Sequence, residues 1–416
     1  MLFTKNFIKS RKTISSEIES INGQLLTKAG FIHQEIAGVY TFLPLGLRVL
    51  NKIEDIIRKH MDEISSEIVM TSLHPRKIWE QTERLTKVDV LMQASGANEA
   101  STKRNDTSYI LGSTHEEMVT PLVKEFVQSY KDLPVALYQI QTKFRNEARA
   151  KSGLLRGREF RMKDLYSFHI SEEDLLRYYE VVKQKYLDVY NELGLGDSTF
   201  VTLASGGDFT TGFSHEFQTV LESGEDIIYL YRDKKIAYNK EVVSEENAKK
   251  LGVDFEKLEK VKASEVGNIF PLNTKFSQAF DFTVLDANGE PKIVYMGSYG
   301  IGPSRLMGVI VEKFSDVKGM IWPENIAPFT YHIVTDNNPE SIKIAQKLYK
   351  TYKDNALWDD RTDVSFGEKL FDADLIGCPQ RLVVTKRSIQ NGGVEVKQRN
   401  KTEAEIQSVE KLLNHF

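Results

Sequence analysis

The sequence predicts two domains: a long N-terminal region of strands and helices built on antiparallel pairing, then an α/β domain with a mixed sheet. Three observations carry this. The stretch "IWPENIAPF", residues 321–329, places two prolines between two strongly patterned regions. Before it, "ALYQIQTKFRNE" and "REFRMKDLYSF" read as extended segments on either side of the basic loop "ARAKSGLLRG", the pattern of a hairpin. After it, strands and helices alternate to the end of the chain: "TYHIV", a helix from Glu340 to Lys353, "ALW", a helix from Phe366 to Leu375, "RLVVT", "VEVKQR", and a final helix from Thr402 to Leu413.

Within the first region, Val49, Leu50, Ile53, Ile56, Ile57, Met61 and Ile64 recur at helical spacing after the turn "LPLG", predicting an amphipathic helix over 45–64. Core packing alone explains such a stripe. The segment "TSYILGS" reads as a strand, Glu116 to Ser129 as a helix, and Ser171 to about Leu193 as another. Residues 235–275, rich in lysine and glutamate, read as a small surface insertion. "KIVYMGSYGIGPSRL" has the order strand, glycine turn, helix, with Arg305 on the first helical turn; it lacks the lysine and Ser/Thr of a P-loop.

Composition narrows the function classes. The chain has 416 residues, 41% hydrophobic and 27% charged, enough for two or three domains with their own cores. A net charge of -4 gives no electrostatic footprint of nucleic acid, so any polyanion must be met by local patches. One cysteine, Cys378, excludes an intramolecular disulfide framework, and eight scattered histidines show no zinc-ligand spacing. No apolar run approaches the roughly 20 residues of a membrane span. The opening "MLFTKNFIKSRKTISSE" lacks the apolar stretch of a signal peptide, so a cytoplasmic location is expected.

Several side chains stand where they can do chemistry. Strand alternation through "KFRNE" puts Lys143, Arg145 and Glu147 on one face, and on the return segment Arg158, Phe160, Met162 and Asp164 share a face. Charges of both signs beside an aromatic ring fit either a ligand surface or cross-strand ion pairs on a solvated face. The loop between them carries Arg149, Lys151 and Arg156. In "GSTHEEMVTPL", Thr114 and Glu117 fit a capping box, which leaves Glu116 free to pair with a substrate ammonium or imino group. "SHEFQ" places His215 and Phe217 on one strand face and Glu216 and Gln218 on the other; a lone histidine in such a place is more often a structural residue. No nucleophile, acid and base pair, or triad is evident.

Taken together and in order, these stretches resemble the three signature motifs of the class II aminoacyl-tRNA synthetases, and most closely the prolyl-tRNA synthetases of bacterial type. The resemblance runs through "AGVYTFLPLGLRVLNKIE", "GSTHEEMVT", "YQIQTKFRNE", "LRGREFRMKDLYSFH", "SHEFQ", "VGNIF", "YGIG" with Arg305, "WPENIAPF", "LWDDR", "DADLIG" and "GGVEVKQR", nearly the whole chain. It implies an α+β catalytic domain on an antiparallel sheet over 1–325, an anticodon-binding α/β domain with a mixed sheet over 326–416, and a homodimer with the 45–64 helix near its interface. It implies ligation of L-proline to tRNA(Pro) through a prolyl adenylate, with ATP and Mg²⁺. Arg145 and Arg305 would be the catalytic cations. For ATP it implies Arg145 on the α-phosphate, Glu147 on the adenine amine, Phe160 and Arg305 sandwiching the ring, Arg156 on the terminal phosphates, and Gln218 beside them. Glu216 would hold the metal. For proline it implies Thr114 and Glu116 on the imino group, Arg145 on the carboxylate side, and Phe168, His215, Ser298 and Gly300 shaping the pocket. Arg361, Lys369, Arg381, Lys386 and Arg387 would contact tRNA.

The sequence also departs from that family. The large editing insertion expected between "LYSFH" and "VYMGS" is reduced to residues 235–275, implying no cis-editing of alanine mischarges. Position 298 is serine where the family usually shows cysteine, Pro303 replaces a more usual aliphatic residue, and Thr71 replaces a motif 1 proline. A smaller, more polar wall at Ser298 implies altered discrimination among proline, alanine and cysteine. A tRNA-binding paralogue without catalysis and an enzyme loading a carrier protein are the competing readings; retained Arg145, Glu147 and Arg305 oppose the first and the C-terminal domain opposes the second.

Overall fold

Why the chain folds around one large sheet is visible in its longest alternating segments. The computed structural model describes residues 1–414 apart from 151, 208, 210, 211 and 251. Its first part contains helices α1 (Ile21–Lys28) and α2 (Pro44–Met61), edge strand β1 (Ser66–Glu67), helix α3 (Glu116–Phe126), strands β2 (Val135–Phe144) and β3 (Glu159–His169) and helix α4 (Glu172–Glu192). Then come β4 (Thr199–Ser205), β5 (Phe213–Val220), β6 (Asp226–Tyr231), β7 (Ile236–Asn239), β8 (Glu259–Asn273), β9 (Tyr295–Ile301) and α5 (Pro303–Lys313). The nine strands form one sheet in the order β5-β4-β7-β6-β8-β9-β3-β2-β1, with β5 also pairing β8. Only β4 with β7 and β1 with β2 run parallel. The extra β5–β8 pairing closes five strands into a ring, whose interior is filled by Phe200, Ile228, Leu230, Ala237 and Ala263.

The register sorts side chains between two layers, because directly paired residues share a face. One row crosses four strands as Leu165, Tyr299, Ile269 and His215, and it lies beneath α4, with Tyr179 against Tyr299 and His215. The opposite face carries Phe160, Asp164, Tyr166, Ser298, Gly300 and Glu216. The predicted stripe on α2 is buried within the chain: Leu45, Val49, Ile53, Ile57 and Met61 join residues of α4 and α5 in the main core. Each such side chain removed from water contributes about 1.5–3 kcal/mol.

A second sheet lies beyond Met320: β10 (Tyr331–Thr335), β11 (Ala356–Asp359), β12 (Gln380–Val384), β13 (Val394–Gln398) and β14 (Glu405–Gln407), in the order β11-β10-β12-β13-β14. Its first three strands are parallel and its last two antiparallel, the expected mixed sheet. Helices α6 (Pro339–Tyr352) and α7 (Phe366–Ile376) follow β10 and β11. The N-terminus adds to its edge: Leu2 bridges Trp358 in parallel, and the Thr4 amide donates to Asp360 at 2.8 Å.

Three elements differ from expectation. Residues 259–273 are not a surface insertion but β8, in the middle of the large sheet; only the segment around helix Glu245–Lys250 is peripheral. Glu259, Lys260 and Lys262 at its start are exposed although paired with β6, and they hid the apolar alternation that follows. The final helix is only Val409–Leu413, because Glu405–Gln407 pairs with β13 instead. The glycines of "MGSYGIG" do not make a turn: Gly297 and Gly300 lie inside β9, and Gly302 alone caps α5, with Pro303 at the position where its fixed φ and missing N–H favour a helix start.

Candidate active site

On the face opposite α4, Glu116 is a buried charge, 1% exposed at the first turn of α3. Ser298 Oγ donates to its Oε1 at 2.8 Å, and Thr114 Oγ1 donates to its Oε2. The Thr114–Glu117 capping box does not form. His115 occupies the cap position without a side-chain cap bond, and Glu117 turns inward to Arg84, 2.7 Å from its Nη1. Arg84 Nη1 also lies 3.6 Å from Glu116, and its guanidinium is enclosed by Trp79, Phe209 and Phe276. Burial pushes the Glu117 carboxyl up while Arg84 pulls it down. Arg84 left no local trace in the sequence; only the fold brings it to Glu116.

Beneath this cluster runs a buried polar chain. Lys143 Nζ, wholly buried, donates to Asp164 Oδ2 at 2.9 Å and to His115 Nδ1 at 2.6 Å. Tyr166 Oη donates to the same carboxylate and accepts from the His115 amide. Burial, with Lys143 adding to it, lowers His115 to about 3 and His74 beside it to about 4, so both rings are neutral at ordinary pH. Lys143 and Asp164, expected on a ligand surface, therefore neutralise one another.

The alternation ends at Phe144, so Arg145 and Glu147 belong to the turn beyond β2 and not to its face. Arg145, Glu147, Arg156, Gly157, Phe160, Ser304 and Arg305 nonetheless line one pocket. The Arg145 guanidinium lies 5.2 Å from the centroid of the Phe160 ring, against which the adenine was expected. Arg305 is held by the Leu155 carbonyl at 2.8 Å and the Glu265 carbonyl at 2.7 Å. Arg156 Nε donates to Glu147 Oε2 at 2.9 Å. Burial and then Arg305 lower the Arg145 pKa, and an anion between two such cations relieves their repulsion.

Beside Arg305, Gln218 Nε2 donates to Glu216 Oε2 at 2.9 Å and to Asp226 Oδ2 at 3.1 Å. Burial and then Glu265 push the Glu216 carboxyl up to about 7. The Gln218 Oε1 is buried without a hydrogen-bond partner. Among the described residues no group of three or more His, Cys, Asp or Glu side chains is arranged to hold a metal ion, so Glu216 and the Gln218 oxygen are at most part of a donor set. Gly300 stands nearby, where a Cβ would come 2.9 Å from Asn268 Oδ1. Phe168 is fully buried against Phe282, two positions beyond Tyr166 on the same face.

His215 does not join this site. The register puts it on the α4 side, its Nδ1 2.8 Å from Tyr179 Oη, and burial lowers it to about 4. Three of the five C-terminal cations are also engaged elsewhere. Lys369 is 2% exposed and donates to the Thr335 carbonyl; Arg361 bonds Asp359 and Asp372 and lies 4.1 Å from the Phe3 ring centroid; Arg381 bonds Asp374. Local charge reads the same whether a cation faces solvent or a carboxylate folded against it. Lys386 and Arg387 are exposed, and Lys151 lies outside the described residues.

A pocket lined by Arg145, Arg156 and Arg305 beside a buried carboxylate, on a largely antiparallel sheet followed by a mixed-sheet domain, is the architecture of a class II aminoacyl-tRNA synthetase. Residues 98–314 match the family described as "tRNA synthetase class II core domain (G, H, P, S and T)" and residues 328–416 match "Anticodon binding domain". Among curated relatives, the proline–tRNA ligase of Wolbachia sp. subsp. Drosophila simulans (strain wRi) is 36% identical over 431 residues, covering 100% of this chain and 99% of the relative. That of Rickettsia bellii (strain OSU 85-389) is 36% identical over 436 residues with the same coverage. The chain belongs to the proline–tRNA ligase family. In fold it is similar to the prolyl-tRNA synthetase of Cryptosporidium parvum solved with halofuginone and AMPPNP, with a TM-score of 0.78 at 18% identity, covering 96% of this chain and 77% of that one. It is likewise similar to the Giardia lamblia enzyme solved with prolyl-adenylate, with a TM-score of 0.76 at 18% identity, covering 95% and 75%.

Proposed function

We propose that this chain activates L-proline with ATP and transfers it to tRNA(Pro), and that the groups around Glu116, Arg145 and Arg305 carry the activation. The observation that supports this best is a buried carboxylate and a pair of cations on the same side of the sheet. Glu116 offers a buried carboxylate with oriented lone pairs, and Arg145 with Arg305 offers two cations. A zwitterion laid between them presents its imino group to Glu116 and its carboxylate to Arg145, leaving Arg305 to the nucleotide.

Thr114 and Glu116 take the imino nitrogen, Ser298 holds Glu116 in place, and Phe168 and Gly300 bound the ring. Arg145 draws the carboxylate towards the ATP α-phosphate. Phe160 takes the adenine on the surface that Arg145 covers, Arg305 closes its other side, and Arg156 leaves Glu147 for the terminal phosphates, freeing Glu147 for the exocyclic amine. Holding two anions together is the main barrier, so the cations and alignment supply the rate, and no protein nucleophile is needed. The carboxylate oxygen attacks the α-phosphorus, pyrophosphate leaves, and a terminal ribose hydroxyl of the tRNA then attacks the adenylate carbonyl.

Mg²⁺ accompanying ATP offsets phosphate charge, and Glu216 with Gln218 Oε1 are the groups that fit it. Domains over 1–325 and 326–416, a cytoplasmic location, and tRNA contact through Lys386 and Arg387 complete the reading. A homodimer is supported by the side of α2 that carries Leu47, 48% exposed beside Tyr40 and Phe42. No described helix is long and apolar enough to cross a membrane. Residues 213–301 supply five of the nine strands of the catalytic sheet, and the segments between those strands are too short for a separate editing domain.

Pyrophosphate exchange with proline, alanine, cysteine, threonine and histidine, followed by charging of tRNA(Pro), tests this. Exchange strongest with proline is expected, and exchange with none of the five overturns the reading. Alanyl-tRNA(Pro) is expected to survive incubation with the purified chain.

A further inference from the structure

Asn22, on the first turn of α1, is wholly buried and lies far in sequence from every motif, yet it touches the loop that carries Arg156. Its Oδ1 accepts from the Leu154 amide at 2.9 Å, and its Nδ2 donates to the Ser152 carbonyl at 3.2 Å and to Glu312 Oε1 at 2.6 Å. Its backbone amide donates to the same Glu312 oxygen at 2.8 Å. Glu312 sits on α5 two turns after Arg305, and its other oxygen accepts from Ser223 Oγ at 2.8 Å. Leu155, the next residue along, holds Arg305 Nε through its carbonyl.

The turn is shaped to this side chain. Gly153 has φ +64, and a Cβ there would stand 2.2 Å from Asn22 Oδ1. On α5, a Cβ at Gly308 would come 3.2 Å from the Leu154 side chain. An amide is the one group of this size that accepts from one backbone atom and donates to another, so aspartate or leucine cannot replace it.

We infer that Asn22 is a positioning residue for the nucleotide: it bolts the 152–155 turn to α5 and so fixes Arg305 and Arg156 relative to one another. This rests on ATP occupying the Arg145–Arg305 pocket. Asn22 touches no reactant in that arrangement. Releasing the turn displaces both arginines and leaves the Glu116 end untouched.

The test is steady-state exchange with the full chain, varying ATP and proline separately. Since a displacement of about 1 Å can cost up to about a hundredfold, Asn22→Ala is expected to raise KM for ATP about tenfold, with KM for proline within about twofold. Asn22→Asp is expected to do worse, because it sets a carboxylate against Glu312, and Glu312→Gln added to it is expected to recover part of the loss. A purely structural role would lower the active fraction and leave both KM values where they were. Unmoved KM for ATP in Asn22→Ala, equal movement of both KM values, or no recovery in the Asn22→Asp/Glu312→Gln chain overturns the inference alone. Absence of proline-dependent exchange in the unaltered chain overturns it together with the proposed function.

Discussion

Lys143 and Lys163 stand on neighbouring strands of one sheet, both wholly buried, and they face opposite layers. Lys143, on the Glu116 side, meets Asp164, with Oδ1 at 2.8 Å. Lys163, on the α4 side, meets the Tyr186 hydroxyl and, at 3.1 Å, the Tyr299 carbonyl, and no carboxylate. Desolvation lowers the Lys163 pKa well below its usual value; it lowers that of Lys143 as well, where the hydrogen bond and charge of Asp164 offset part of the cost. The difference separates two uses of one sheet. The reactant face spends paired charge to hold loops in place, while the helix face is an aromatic core that tolerates an amine only where hydroxyls and carbonyls receive it.

The comparison can be broken most sharply at Glu116. Removing it with Glu116→Ala is expected to lower kcat/KM for proline by about a thousandfold, as for other groups that bind charge at a reacting centre, while KM for ATP moves little. A comparable loss in ATP affinity would mean that the two ends of the site are not separate.

The lysines come next. Lys143→Met leaves Asp164 buried without its partner and is expected to cost about 3–5 kcal/mol in denaturant unfolding. Lys163→Met exchanges an amine for an apolar side chain in an aromatic core and is expected to stay within about 1 kcal/mol of the parent. Equal costs for the two would erase the distinction between faces.

Proton linkage distinguishes the layers less strongly. His74 and His115 on one side and His215 on the other have folded pKa values lowered from 6.5 to about 4, 3 and 4. Below 6.5 the unfolded chain binds protons that the folded chain refuses, so stability present above about 6.5 is lost as pH falls towards 4. Unfolding measured across that window is expected to show it, with a shallower slope after His115→Asn or His215→Asn. A flat profile would show that these rings are not held neutral.

The smallest effect concerns Ser298. Its hydrogen bond to Glu116 is of the kind worth about 0.5–1.5 kcal/mol, so Ser298→Cys is expected to raise KM for proline about three- to tenfold and to shift selectivity against alanine and cysteine. Unchanged selectivity among the three amino acids would remove Ser298 from the specificity wall.

By itself the sequence determined the two-domain order, the helices at 45–64 and 171–193, the hairpin over 135–169, and several of the side chains that the fold gathers around Arg145 and Arg305. These are local facts: periodicity, turn chemistry and ordered motifs survive reading along one dimension. Tertiary structure alone decided which charges are free. Thr114 bonds Glu116 and not a helix cap, His215 lies behind the sheet, Lys369 is sealed under a carbonyl, and Arg361 is covered by Phe3 from the other end of the chain. Arg84 and Asn22 are silent in the sequence for the same reason. A hydrogen bond between residues more than a hundred positions apart, such as that joining Asn22 to Leu154, is fixed by how helices and strands stack, and stacking is not written in any short stretch.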